Sequence, residues 1–159
     1  MKKVYKYKEN RKLKVDSIYN FLVVNKITLP HGVKYFVLQD EFGEKHLIPA
    51  RFYKRYNFNC GQYIRGRIDK INCQGQIIIE PQHPYFMQGN DYFFKFRGAS
   101  VLISKKKGIQ HYFRFVSETG EKAFLPYKPN QRFDKNKPIA FKVSKIKKAK
   151  IFIEKLNEN

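Results

Sequence analysis

Residues 35–49 read YFVLQDEFGEKHLIP, and residues 112–126 read YFRFVSETGEKAFLP, 77 positions later (Tyr35 to Tyr112). Seven of the fifteen positions are identical without a gap: Tyr, Phe, Glu, Gly, Glu, Lys and Pro. Each copy predicts a strand, a Gly-containing turn and a second strand. Agreement extends outward from the hairpin. Tyr19 and Phe21 match Tyr92 and Phe94, Arg67–Ile71 resembles Lys142–Ile146, and Ile77–Glu80 resembles Ile151–Glu154. The offset drifts between 73 and 77 (Tyr19 to Tyr92, Tyr35 to Tyr112), as changes in loop length alone would produce. The chain therefore carries a duplicated domain.

Around the hairpin, Val15–Val24 opens the first copy as a β-rich run, and Leu29-Pro30-His31-Gly32 is turn chemistry. Ala50–Cys60 is aromatic and basic without β alternation, which fits a short helix or irregular crossing. Gly61–Ile71 and Gln76–Glu80 follow as strands, and the second copy repeats the order. The domain boundaries read as a basic N-terminal arm (1–14), module 1 (15–80), a linker (81–90) and module 2 (91–157). Five strands in about 70 residues, with one long connection between the third and fourth, predict two tandem OB-like Greek-key barrels in an all-β chain. SH3-like small barrels are the competing architecture.

Gly61–Ile71 followed by Gln76–Glu80 resembles the last two strands of S1-type OB domains, and the hairpin is similar to that family's second and third strands. The resemblance covers both modules as a pattern of Gly and apolar positions. It implies binding of single-stranded RNA or DNA without catalysis.

Charge points the same way. Thirty-three Lys and Arg stand against thirteen Asp and Glu, a net +20, far more of one sign than solvation requires. The partner expected is a polyanion, and nucleic acid fits better than a membrane surface because no basic amphipathic helix is apparent. The arm contributes seven basic residues and one acid. No apolar run approaches the roughly 20 residues that span a bilayer, and the N-terminus lacks a signal-peptide core, so the expected location is cytoplasmic. Cys60 and Cys73 fit no disulfide framework and no zinc spacing, and read as reduced thiols.

The two copies also sort faces. Phe36 and Leu38 match Phe113 and Phe115, so that side of the second strand is core. Ile64, Gly66 and Ile68 match Ile139, Phe141 and Val143, which makes Arg67 and Lys142 outward and basic in both copies. OB-folds bind ligands on the outer face of strands two and three and on the flanking loops. The expected contacts are therefore Tyr35 and Tyr112 as stacking platforms, with Arg114, Arg67 and Lys142 on outer faces and Lys34, Lys105, Lys106 and Lys107 in loops, His31 contributing weakly. Phe52, Tyr53 and Tyr56 read chiefly as core and cap residues of the crossing. The four histidines lack ligand spacing, and no phosphate loop, GxSxG or Cys–His arrangement stands out. No cofactor, metal or enzyme activity is expected. The function expected is binding of single-stranded nucleic acid, RNA ahead of DNA. The alternatives are a structural subunit of a ribosome-associated or other nucleoprotein complex and, third, a nuclease without a recognisable motif.

Overall fold

A computed structural model describes residues 13–157. The chain is 54% strand and 4% helix, which bears out the all-β expectation. Among the described residues no helix is long and apolar enough to cross a membrane. The chain divides after Gln82 into two compact units.

The first unit contains β1 (Ile18–Thr28), β2 (Lys34–Gln39), β3 (Lys45–Pro49), β4 (Tyr63–Ile71) and β5 (Ile77–Pro81). They form one sheet in the order β3-β2-β1-β4-β5. The second contains β6 (Asp91–Ser104), β7 (Gly108–Val116), β8 (Lys122–Pro126), β9 (Ile139–Lys147) and β10 (Lys150–Lys155). Its order is β10-β8-β7-β6-β9, and it closes into a barrel because β10 pairs with β9 on one side and, in parallel, with β8 on the other. The expected crossing exists as two single 3-10 turns, Ala50–Phe52 and Lys54–Tyr56.

The first strand of each unit serves two partners. Ile18–Leu22 pairs with β4 and Leu22–Thr28 with β2; Asp91–Phe94 pairs with β9 and Lys95–Ser104 with β7. A bulge follows Val23 in one copy and Phe96 in the other, and it turns the strand from one partner to the next. The interior is built as the alternation requires. Phe21, Val23, Leu38, Ile48, Ile68 and Ile79 are buried in the first unit, and Phe94, Phe115, Phe141, Val143, Ile151 and Ile153 in the second.

Each unit is entered in the same way. Leu13 and Phe86 are buried, and the next residue's main-chain N–H (Lys14, Met87) donates to the hydroxyl of Tyr19 or Tyr92 at 2.9 Å in both copies. Asp16 N–H donates to Ile68 O, and Ile68 N–H to Ser17 O; Gly89 and Asn90 make the same pair of bonds with Val143. Asp16 (φ 67°) and Gly89 (φ 90°) both sit in the left-handed region that this reversal needs. Residues 81–90, expected as a linker, are thus occupied by structure: Pro81 ends β5, and His83 and Phe86 are buried in the second unit. The expected basic arm lies outside the described residues apart from Leu13 and Lys14.

The cores differ at one pair of equivalent positions. Phe141 fills space in the second unit where the first has Gly66, because a Cβ at Gly66 would lie 2.7 Å from Ile79 Cγ2 and 3.3 Å from Phe21 Cε2. Gly66→Ala overpacks that interior. Urea unfolding should show the variant destabilised by about 1–3 kcal/mol, with loss of first-unit signal.

Candidate nucleic-acid interface

On β7 the side chains alternate, Phe113 and Phe115 inward and Tyr112, Arg114 and Val116 outward. The ladder registers line up a row around the outside of the second barrel. Arg114 lies opposite Gly98, beside the bulged Arg97, and opposite Phe124; Phe124 lies opposite Phe152, and Phe152 opposite Lys145. Arg114 donates through Nη2 to the Arg97 carbonyl at 3.4 Å. A parallel row places Lys95, Val116 and Lys122 side by side.

The expected platform Tyr112 belongs to a cluster of three inclined rings. Its ring centroid lies 6.1 Å from Phe124 and 5.8 Å from Phe152, which are 6.0 Å apart, with ring planes at 75°, 59° and 40° to one another. Its hydroxyl donates to Gln110 Oε1 at 3.3 Å. Phe124 is buried, whereas Tyr112 and Phe152 are half-buried. Such a cluster, in one row with Arg97, Arg114 and Lys145, places rings and cations on one outer face. Phe124, Phe152, Arg97 and Lys145 were not singled out from sequence. They lie on strands three, five and four and at a bulge, and only the register brings them into one row with Arg114.

Beyond the barrel, β6 and β7 continue as a two-stranded ribbon from Ser100/Tyr112 to Ser104/Gly108. Lys105, Lys106 and Lys107 form its exposed tip, where Lys107 N–H donates to Ser104 Oγ at 2.9 Å. One face of the ribbon leaves Val101, Ile103 and Ile109 exposed.

In the first unit the expected residues divide. Tyr35 is half-buried between Ile27 and Pro49 in the ladder, and Lys34 beside it is exposed. Arg67 is committed to its own unit: its guanidinium reaches Asp69 at 3.2 Å and Asp16 at 3.6 Å, and Glu80 lies opposite it across the ladder. The equivalent Lys142 lies between Asp91 and Glu154 on its two neighbouring strands. Both recurring cations therefore face recurring acids, a pattern of cross-strand charge matching. Among the described residues the most exposed rings, Tyr63 (74%), Phe93 (65%) and Tyr85 (62%), lie outside the expected set.

Two buried polar groups have structural explanations. Tyr53 donates its hydroxyl to Glu80 at 2.8 Å; burial, and then the Glu80 charge, push the Tyr53 pKa up and keep the phenol protonated. Asp40, Glu44 and His46 bring one possible ligand atom each within 4.8 Å of one another. Asp40 Oδ1 already accepts the main-chain N–H of Phe42 and Glu44 at 2.9 Å, and Oδ2 meets His46 Nε2 at 2.8 Å. In the second copy Ser117 does the same work, its Oγ accepting Glu121 N–H at 3.0 Å, and Ala123 stands where His46 does. The trio is thereby accounted for as the fastening of the repeated turn. Cys60 and Cys73 are free and exposed.

No protein-family model and no curated protein matches this sequence.

Burial raises the Asp40 pKa, but hydrogen bonds from His46, Glu44 and Phe42 outweigh it and hold the carboxyl below its ordinary value of 3.8. A depressed folded pKa stabilises the unit above the ordinary value, and that contribution is lost as pH falls through the folded one. Thermal melts down an acid series should therefore show first-unit stability falling below the ordinary carboxylate range. Asp40→Asn should flatten that acid limb and lower neutral-pH stability by about 1–3 kcal/mol.

Proposed function

We propose that the chain binds single-stranded nucleic acid without catalysis, RNA ahead of DNA, through two OB-type barrels resembling S1 domains. The observation that carries this reading is the row on the second unit's outer face, where Arg97, Arg114 and Lys145 border the half-buried rings of Tyr112 and Phe152. Nucleic-acid strands present phosphates and ring faces in alternation, and this row sets three cations beside two partly open rings, groups suited to meet both.

Connectivity supports the barrel type. Numbered within its unit, the second sheet runs 5-3-2-1-4, with its fifth strand parallel to the third and antiparallel to the fourth. An OB barrel would have this connectivity, and the interface row crosses the unit's second and third strands, the face such barrels use. Net charge of +20 supplies long-range attraction, and a cytoplasmic setting suits the two free thiols.

One observation favours a second reading, a structural subunit of a nucleoprotein complex: the ribbon exposes Ile103 at 77% and Ile109 at 64% next to three lysines. A protein neighbour would cover those aliphatic side chains while the tip meets phosphate.

Fluorescence anisotropy with a labelled single-stranded oligonucleotide of about 12 nucleotides tests the first reading, since OB folds engage about 4–16. Affinity should fall steeply with salt, the logarithmic slope losing roughly 0.7 for each phosphate contact removed by Arg97→Ala and Arg114→Ala. Tyr35→Ala combined with Tyr112→Ala should cost about 1–3 kcal/mol for each base unstacked. Binding indifferent to salt, or unchanged in these folded variants, would count against the proposal. Matched RNA and DNA strands in competition test the preference, and equal affinity removes it.

A further inference from the structure

The first unit has a cleft of about 670 Å³ between the β1–β2 turn and the 3-10 crossing. Four cations line it, Lys26, Lys34, Arg51 and Lys54, and no Asp or Glu is among its described lining residues. Its floor is aromatic: Phe36, Tyr53 and Phe58 belong to one group of rings, with Phe36 and Phe58 edge-to-face at 5.5 Å and Tyr53 and Phe58 at 6.4 Å. Phe36 and Tyr53 are buried, and Phe58 keeps part of its ring open.

The second unit shows why the space exists. There the equivalent of Phe36, Phe113, is covered by Tyr127 at 4.9 Å and Phe133 at 5.2 Å. Ala50 stands in the first unit where Tyr127 stands in the second, and no side chain beyond Cβ is present to fill the place. Phe36 meets instead the edge of one ring, Phe58 at 5.5 Å, and a cation, Lys26 Nζ at 5.5 Å from its centroid. Arg51 is similarly laid on a ring, its Cζ 4.7 Å from the Phe52 centroid. Both cations are held by aromatic faces and pair with no carboxylate among the recorded ion pairs, so their charge is available to an anion.

We infer that this cleft holds one phosphorylated nucleotide, its phosphate on the Lys34, Arg51 and Lys54 side and its base against Phe58. The volume lies within the roughly 300–1,000 Å³ of small-ligand sites. The unmatched cations select an anion, and the aromatic floor selects a ligand that also carries a flat apolar ring. Asn57 and Asn59 at the rim supply amide groups able to donate to and accept from a base edge. The inference deepens the strand-binding reading by giving the first unit a subsite for a single nucleotide, such as the phosphorylated end of a strand.

Isothermal titration of the full chain with adenosine 5′-monophosphate, adenosine and inorganic phosphate tests it. The monophosphate should bind at least about tenfold tighter than either other probe, since only it engages both halves of the cleft. Lys34→Glu with Lys54→Glu should weaken it by about tenfold or more, the equivalent of one charge-assisted bond; both side chains are exposed, and circular dichroism checks their fold. Phosphate binding as tightly as the monophosphate would overturn the inference in favour of a bare anion site. So would monophosphate affinity unchanged in the folded double variant. Titration with the oligonucleotide separates the two proposals. Strand binding without monophosphate binding overturns the cleft alone, whereas monophosphate binding without strand binding overturns the strand reading and leaves the cleft standing.

Discussion

The main-chain joint at the entrance to each unit is the constraint from which the rest follows. Two hydrogen bonds tie Asp16 and Ser17 to Ile68, and the same two tie Gly89 and Asn90 to Val143. A tyrosine hydroxyl one strand-turn further on accepts the preceding N–H in both copies. These bonds fix where the first strand begins against the fourth, and with a side-chain period of two that choice decides which residues face inward. A slip of one residue would expose Phe21 or Phe94 and turn Asn20 or Lys95 inward. The bulge then transfers the strand to its second partner, so Tyr112 and Arg114 reach the outer face because the joint upstream set the register.

From this common frame the units diverge through a few exchanges of volume. Ala123 on β8 admits β10 beside it, and the second barrel closes by hydrogen bonds. His46 occupies the equivalent place on β3, its ring edge-on to Phe21 at 6.3 Å and its Nε2 bound to Asp40; β3 lies near β5 without a described ladder. Closure gives the second unit a continuous outer surface, across which cations and rings line up over five strands. The less tightly joined first unit, with Ala50 for Tyr127, keeps a recess. One duplicated design thus yields a continuous outer face in one unit and a recess in the other.

The fold was largely legible because repetition supplies what a single copy lacks. Comparing Phe36, Leu38, Ile64 and Ile68 with Phe113, Phe115, Ile139 and Val143 separated core from surface, and the burial agrees at each position apart from the half-buried Ile139. The module entrances were not legible, since their bonds are made by main-chain groups of residues as different as Asp16 and Gly89. Crossing 50–60 was recognised as irregular, and Tyr53 and Tyr56 are buried as core and cap residues. The recess beside them comes from a missing side chain at Ala50, which no motif announces. The ring cluster around Tyr112 depends on the parallel register of β8 and β10, a long-range pairing that local periodicity does not encode.

Recurrence itself marks the scaffold at several charged positions. Arg67 and Lys142 recur together with Glu80 and Glu154, and the ladder sets each cation against its acid. Glu44 and Glu121 recur in a turn closed by the same main-chain bonds, Asp40 to Glu44 and Ser117 to Glu121. What duplication preserved in these places is the means of folding. The cations facing solvent and rings stand where the copies differ: Arg114 against Val37, Arg97 against Val24, Lys26 against Ala99, and Lys105–Lys107 at the tip of a longer hairpin. Positions released from the shared scaffold were free to acquire charge, and in this chain the charge they acquired is almost all of one sign.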